Sequence, residues 1–182
     1  MKATVARCAA LLILAGCATP PAAPAKPQPD RRTPAAYQAD QALETRLNNR
    51  LKVQLGNKAN VKAYSFNRFL LLTGEVPDSA SRAKAQEVVG QENSVRLVFN
   101  ETQIAEPSIA YQNARDQWLF KEAQQALEQT DGLAPRHVRL VVKNNVAYLM
   151  GIVNRREAAL AEQRVAATVG IARVISLFEY LD

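Results

Sequence analysis

Val61 to Val76 reads VKAYSFNRFLLLTGEV, and 77 residues later Val138 to Val153 reads VRLVVKNNVAYLMGIV. Each copy is an alternating apolar run, a two-residue turn, and a second apolar run interrupted near its end by a glycine, Gly74 or Gly151. A related doublet precedes each copy: Asp40-Gln41-Ala42-Leu43 and Asp116-Gln117-Trp118-Leu119. Self-similarity on this scale means two copies of one small domain. Each copy holds roughly 65–70 residues, near the lower end of what folds alone without disulfides or metals. Mutual packing or a membrane surface is therefore expected to contribute to stability.

The leading residues are not part of either copy. Lys2 and Arg7, the apolar run Ala9 to Leu14 and the small pair Ala15-Gly16 form a secretory signal, too short to span a bilayer. From Ala18 to Ala36 the chain is rich in proline and alanine, with six of its nine prolines. Such a segment buries no core, and about 18 residues of extended polyproline-like chain span roughly 55 Å. Charge is spread thinly. The 23 Lys and Arg against 17 Asp and Glu give a formal +6, yet residues 37–106 and 115–182 each hold nine basic and eight acidic residues. A nucleic-acid reader needs its basic residues clustered on one face, so no nucleic-acid partner is expected.

Within each copy the pattern reads helix, strand, strand, helix, strand. Leu43, Leu47, Leu51 and Leu55 form one helical stripe, with Asp40 as the expected N-cap. Strands follow at about 60–66 and 69–76 around Asn67-Arg68, then a helix from Pro77-Asp78-Ser79 to Val89, and a strand through residues 95–100. The second copy gives a helix at about 116–129, strands at about 137–143 and 146–153 around Asn144-Asn145, a helix at about 155–168 and a strand at about 172–181. The last strand of each copy returns through a helix and should lie parallel to its predecessor. The fold class is α+β: two modules, each a three-stranded mixed sheet packed by two helices. The break between them is placed at Glu106-Pro107-Ser108.

Several motifs add a family resemblance. Leu72-Thr73-Gly74-Glu75-Val76 with Val95, Val98 and Asn100, and Leu149-Met150-Gly151-Ile152-Val153 with Gly170-Ile171, Val174 and Ser176, resemble the BON domain. Asn93-Ser94 and Ser176 depart from its usual residues. Leu14-Ala15-Gly16-Cys17 resembles the bacterial lipobox, which implies cleavage before Cys17 and acylation of that cysteine. The chain as a whole resembles dual-BON outer-membrane lipoproteins. The organisation expected is a signal peptide at 1–16, an acylated Cys17 with its tether at 17–36, and modules at 37–106 and 107–182. Ala18 after Cys17, in place of Asp, fits the family's outer-membrane sorting, facing the periplasm.

Catalytic groupings are missing from the sequence. His137 is the only histidine, acylation of Cys17 leaves no thiol in the mature chain, and the seven glycines stand singly. No enzyme, no metal site and no cofactor is expected. Glu157 and Glu162, with Arg155, Arg156 and Arg164, read as the charged outer face of the last helix.

The residue that calls for a function is Trp118. With 100° per residue, Leu119, Ala123, Ala126 and Leu127 form the core stripe at about 80–180° from it, and Phe120 lies at the edge. Two readings stand: an interfacial anchor in a membrane, or packing against the first module or Tyr111. The resemblance favours the anchor, because in the family this helix binds anionic phospholipid. It implies a binding face of Trp118, Leu119, Phe120, Lys121 and Arg115, in a protein that supports envelope integrity. Family helices carry more basic residues than this one, where Lys121 stands against Asp116, Glu122 and Glu128. The rival functions are a scaffold for outer-membrane assembly proteins, with Trp118 as a protein hot spot, and an osmotic-stress periplasmic protein.

Overall fold

A computed structural model describes residues 29–181. The signal peptide, Cys17 and the tether up to residue 28 lie outside the described residues. The first module runs α1 (Pro34–Leu55), β1 (Asn60–Phe66), β2 (Phe69–Val76), α2 (Ser79–Gly90), β3 (Leu97–Asn100) and β4 (Gln103–Ile104). The second runs α3 (Ala110–Glu128), β5 (Val138–Lys143), β6 (Val146–Val153), α4 (Arg155–Ala166) and β7 (Arg173–Tyr180). The sheet orders are β1-β2-β3, with β4 also on β2, and β5-β6-β7. First pairs are antiparallel and last pairs parallel, as the helical crossovers require. The short β4 continues the register of β3 along β2 after a break at Glu101-Thr102.

Both hairpins close on two residues with left-handed backbone: Asn67 and Arg68 at φ 48° and 68°, Asn144 and Asn145 at φ 52° and 60°. Such turns match the twist of the flanking strands but strain a non-glycine residue. A buried carboxylate holds each one. Asp40 accepts from Asn67 N at 2.7 Å, Arg68 N at 3.0 Å and Ser65 Oγ at 2.7 Å. Asp116 accepts from Asn144 N at 2.9 Å and Asn145 N at 3.1 Å. This corrects the expected N-cap role of Asp40. The helix starts six residues earlier, at Pro34, where Thr33 Oγ1 accepts from Ala36 N. The second module's first helix likewise begins at Ala110, ahead of the expected 116.

The repeated glycines mark close backbone approach. A Cβ on Gly74 would lie 1.8 Å from the Asn60 carbonyl oxygen, and one on Gly151 2.3 Å from that of His137. Any side chain there would push the first two strands of its sheet apart.

Helices cover one face of each sheet. Leu43, Leu47 and Leu51 of α1 meet Ala63, Leu70 and Leu72, and Ala123 and Leu127 of α3 meet Leu140, Leu149 and Phe178. The other face of each sheet packs on its counterpart. Phe66 and Leu71 join Val141, Tyr148, Met150, Ile152 and Leu177 in a third apolar cluster. The result is a four-layer sandwich of helices, sheet, sheet and helices. Every residue of β6, and all of β2 after Phe69, is buried.

Polar clamps rim this interface. Glu75, buried at 1% exposure, accepts from Asn144 Nδ2 at 2.8 Å, Lys143 Nζ at 3.0 Å and the Ser108 hydroxyl. Glu179 accepts from Asn67 Nδ2 at 2.7 Å and Arg96 Nη1 at 2.8 Å. Arg139 pairs with Glu44 and donates to Ser65 O at 2.8 Å. Arg31 grips Glu157 with two bonds, 2.6 and 3.0 Å, and donates to Ile152 O at 2.8 Å. Residues 29–33 are thus docked on the body, although the expected tether ran to residue 36. Glu157 is also corrected: it is buried, not on an outer face, and it closes a capping box with Asn154 at the start of α4. His137 is packed beside it, with Nδ1 3.1 Å from Glu157 and Nε2 3.2 Å from Pro29 O.

These clamps set a pH dependence. Burial pushes the Glu75 carboxyl up, but bonds from Ser108, Asn144 and Lys143 outweigh it and hold the carboxyl below its usual value. Glu157 and Glu179 follow the same pattern, through Arg31 and Asn154 in one case and Arg96 and Asn67 in the other. A depressed carboxyl binds fewer protons folded than unfolded, so its stabilisation is complete above the unfolded value of about 4.3 and is lost as pH falls through the folded value. Urea midpoints should hold steady from neutral pH to about 5.5 and then fall. The fall should be shallower in Glu75→Gln, measured on a soluble chain beginning at Ala18.

Candidate membrane-facing helix

The surface of α3 is uneven. Leu119 is fully buried, with Ala123 and Leu127 on the same stripe. Trp118 is 52% exposed, Tyr111 70% and Phe120 39%. Because α3 begins at Ala110, Tyr111 lies on the helix seven residues before Trp118 and therefore on the same face. Arg115, three residues before Trp118, and Lys121, three after it, are both exposed on its flanks, as is Glu122.

The structure brings together only part of the expected face. Trp118, Arg115 and Lys121 share one side of α3. Leu119 does not join them, which corrects its expected place in the lipid-contacting set. Its Cδ2 lies 2.9 Å from where a Cβ on Gly170 would sit, so the leucine fills the space that glycine leaves in the loop between α4 and β7. Phe120, about 200° around the helix from Trp118, opens instead toward a groove between the modules that Gln117 and Gln124 also line. Tyr111 joins this face only because the helix begins at Ala110, ahead of the start that the apolar pattern predicts. Its seven-residue spacing from Trp118 was the available signal. Val169, 84% exposed, sits beside Gly170 in the loop that packs against Leu119 and Arg115, and no periodic pattern marks it.

The module geometry coincides with a family match. The BON domain model matches residues 39–106 and again 115–182. The chain belongs to the BON-domain family. Among curated relatives, the Outer membrane lipoprotein DolP of Haemophilus influenzae is 28% identical over 161 residues, 87% of this chain and 83% of that protein. The 21 kDa hemolysin of Actinobacillus pleuropneumoniae is 22% identical over 155 residues, 84% of this chain and 80% of its own length. Among solved structures, CdsD, a structural protein of the type III secretion system of Chlamydia trachomatis, aligns over 75% of this chain and 92% of its own, at 16% identity and a TM-score of 0.31. This BON chain is a dual-module, DolP-like protein of α+β fold. Among the described residues, no cluster of His, Cys, Asp or Glu could hold a metal ion. No described helix is long and apolar enough to cross a membrane.

Burial separates the adjacent residues Trp118 and Leu119 into different roles. Leu119→Ala should cost about 2–5 kcal/mol of stability, whereas Trp118→Ala should change it by no more than about 0.5 kcal/mol. Urea unfolding of the two variants checks both values.

Proposed function

We propose that this BON protein is a non-enzymatic outer-membrane lipoprotein, anchored through acylated Cys17 and facing the periplasm, which rests the Trp118 face of α3 on phospholipid and so supports envelope integrity. The observation that carries this reading is a half-exposed tryptophan, the only one in the chain, aligned with an exposed tyrosine on one side of a helix whose opposite side is core. An aromatic ring with a polar N–H suits the boundary between acyl chains and headgroups. The similarity to an outer membrane lipoprotein over most of the chain supports the same placement.

The anchor changes what the aromatic face must supply. Acyl chains contribute about 0.8 kcal/mol per buried methylene and hold the protein at a membrane by themselves. The Trp118 contact then acts at high effective concentration, so a weak contact suffices to orient the body or respond to lipid packing. Arg115 and Lys121 against Glu122 leave one net positive charge beside Trp118. At about 1 kcal/mol per basic residue near an anionic surface, the preference for anionic headgroups is small.

Indole emission tests the reading, because Trp118 is the only tryptophan. Adding phospholipid vesicles to a soluble chain beginning at Ala18 should shift the emission to shorter wavelength. Trp118→Ala should weaken vesicle co-sedimentation by about tenfold, equal to about 1.4 kcal/mol. No shift with neutral or anionic vesicles, together with unchanged co-sedimentation of the variant, would contradict it. A shift produced only by an envelope protein would favour the scaffold instead.

A further inference from the structure

A four-residue turn leads into the last strand of each module, and its corner residue differs between the two. Ile171 N donates to Thr168 O at 3.1 Å, as Val95 N donates to Glu92 O at 3.1 Å in the first module. The second residue of the turn is Val169 in one and Asn93 in the other. Asparagine is a usual turn residue, whereas valine at a turn corner contributes no hydrogen bond to the turn. Val169 is nonetheless 84% exposed. Three features fix its place. Gly170 takes the third position with left-handed backbone, φ 101°, which glycine adopts without strain. Leu119 packs against Gly170. Ala172 N donates to Asn145 O at 2.8 Å just beyond the turn.

A solitary exposed apolar residue needs no explanation, but Val169 is not solitary. Counting about 100° per residue around α3 from Trp118, Tyr111 stands at about 20°, Arg115 at about 60° and Leu119 at about 100°. A Cβ on Gly170 would lie 2.9 Å from Leu119 Cδ2 and 3.8 Å from Arg115 Nη2, so the turn lies against α3 on the Arg115 side of the aromatic face. Tyr111, Trp118 and Val169 thus surround Arg115, which is exposed and has no ion-pair or hydrogen-bond partner among the described residues. Lys121, at about 300°, falls on the other flank, and Glu122, at about 40°, stands a turn beyond Trp118. The first module has Ala35, Ala39, Ala42 and Asn93 where the second has Tyr111, Arg115, Trp118 and Val169. All four positions differ together across two separate elements. In the first module the turn is instead tied to its helix, by Arg46 and Arg50 on Glu92 at 2.8 and 2.6 Å.

We propose that Val169 is a second point of insertion into the phospholipid surface, in a three-cornered footprint of Tyr111, Trp118 and Val169 with Arg115 inside it. The site rests on the membrane reading of the Trp118 face and gives that face its extent. A phospholipid surface is the occupant that fits these groups. It takes an aliphatic tip and two amphipathic rings at the acyl boundary, and it offers phosphate oxygens to the guanidinium between them. Contact through one helix face leaves the body free to roll about the helix axis. A second contact on the turn beside α4 removes that freedom. It also brings the Tyr111-to-Trp118 half of α3 nearest the lipid and leaves Glu122 beyond the footprint.

Moving the indole tests this. In the soluble chain beginning at Ala18, Trp118→Phe combined with Val169→Trp leaves one tryptophan, at the turn. Vesicles of phosphatidylcholine and phosphatidylglycerol should shift its emission to shorter wavelength, and acyl-brominated lipid should quench it. Trp118→Phe combined with Asn93→Trp puts the same indole at the matching corner of the first module and should give neither effect. With Trp118 in place, Val169→Ser should weaken vesicle co-sedimentation by about tenfold, the effect expected for burying one aliphatic side chain, and should leave the urea midpoint unchanged. If Trp118 of the unsubstituted chain shifts while the indole at position 169 does not, the second insertion point is overturned and the membrane reading stands. The same holds if Val169→Ser binds as tightly as the unsubstituted chain, or if an indole at position 93 responds equally. No shift at Trp118 itself overturns both.

Discussion

Each sheet of this protein has two apolar faces and only one pair of helices to cover them. A three-stranded sheet with one face open to water would expose the aromatic and branched side chains of its central strand, and a module of this size has little other core to offset that cost. The second module supplies the missing cover. Phe66 and Leu71 against Tyr148, Met150 and Leu177 make the apolar centre of that contact. Glu75, Glu179 and the Arg31–Glu157 pair fix its alignment at the rim. The linker takes part as well, since the Ser108 hydroxyl bonds to Glu75. Duplication here is a folding requirement as much as a functional one.

Once the sheets are joined, the surfaces left for function are the outer faces of the helices and the groove where the two first strands come to the surface. The first helices of the two copies carry different side chains at the positions that face the groove and the solvent. α1 spends Glu44 and Asn48 on closing the edge of β1. α3 has Phe120 and Gln124 at those positions and an exposed Trp118 where α1 has Ala42. What the helices keep in common is the aspartate that holds the hairpin turn, because the left-handed backbone at Asn67-Arg68 and Asn144-Asn145 needs it in both copies.

The hairpins were legible residue by residue, because alternation, a two-residue turn and a glycine leave one register open. The parallel third strands followed from the helical crossovers. The roles of Asp40 and Glu157 were not legible. An aspartate ahead of an apolar stripe reads as a helix cap because capping a helix and capping a distant turn use the same carboxylate chemistry, and only tertiary structure separates them. Glu157 looked like one charge among several until Arg31, 126 positions away, supplied its partner. The uninterrupted apolar runs Leu70-Leu71-Leu72 and Tyr148-Leu149-Met150 were the local sign that both sheet faces are covered. At the candidate site, helical angles separated Trp118 from the core stripe and already placed Leu119 on it. Adjacency in the motif carried Leu119 into the binding set, and its packing against Gly170 removes it.

The two modules form one cooperative body through the faces of their sheets. Differential scanning calorimetry of the soluble chain beginning at Ala18 tests it directly. One transition is expected, with calorimetric and van't Hoff enthalpies equal, and it should stay single while moving to lower temperature in Tyr148→Ala. Two resolved transitions, or a Tyr148→Ala variant in which the first module melts unchanged, would contradict it.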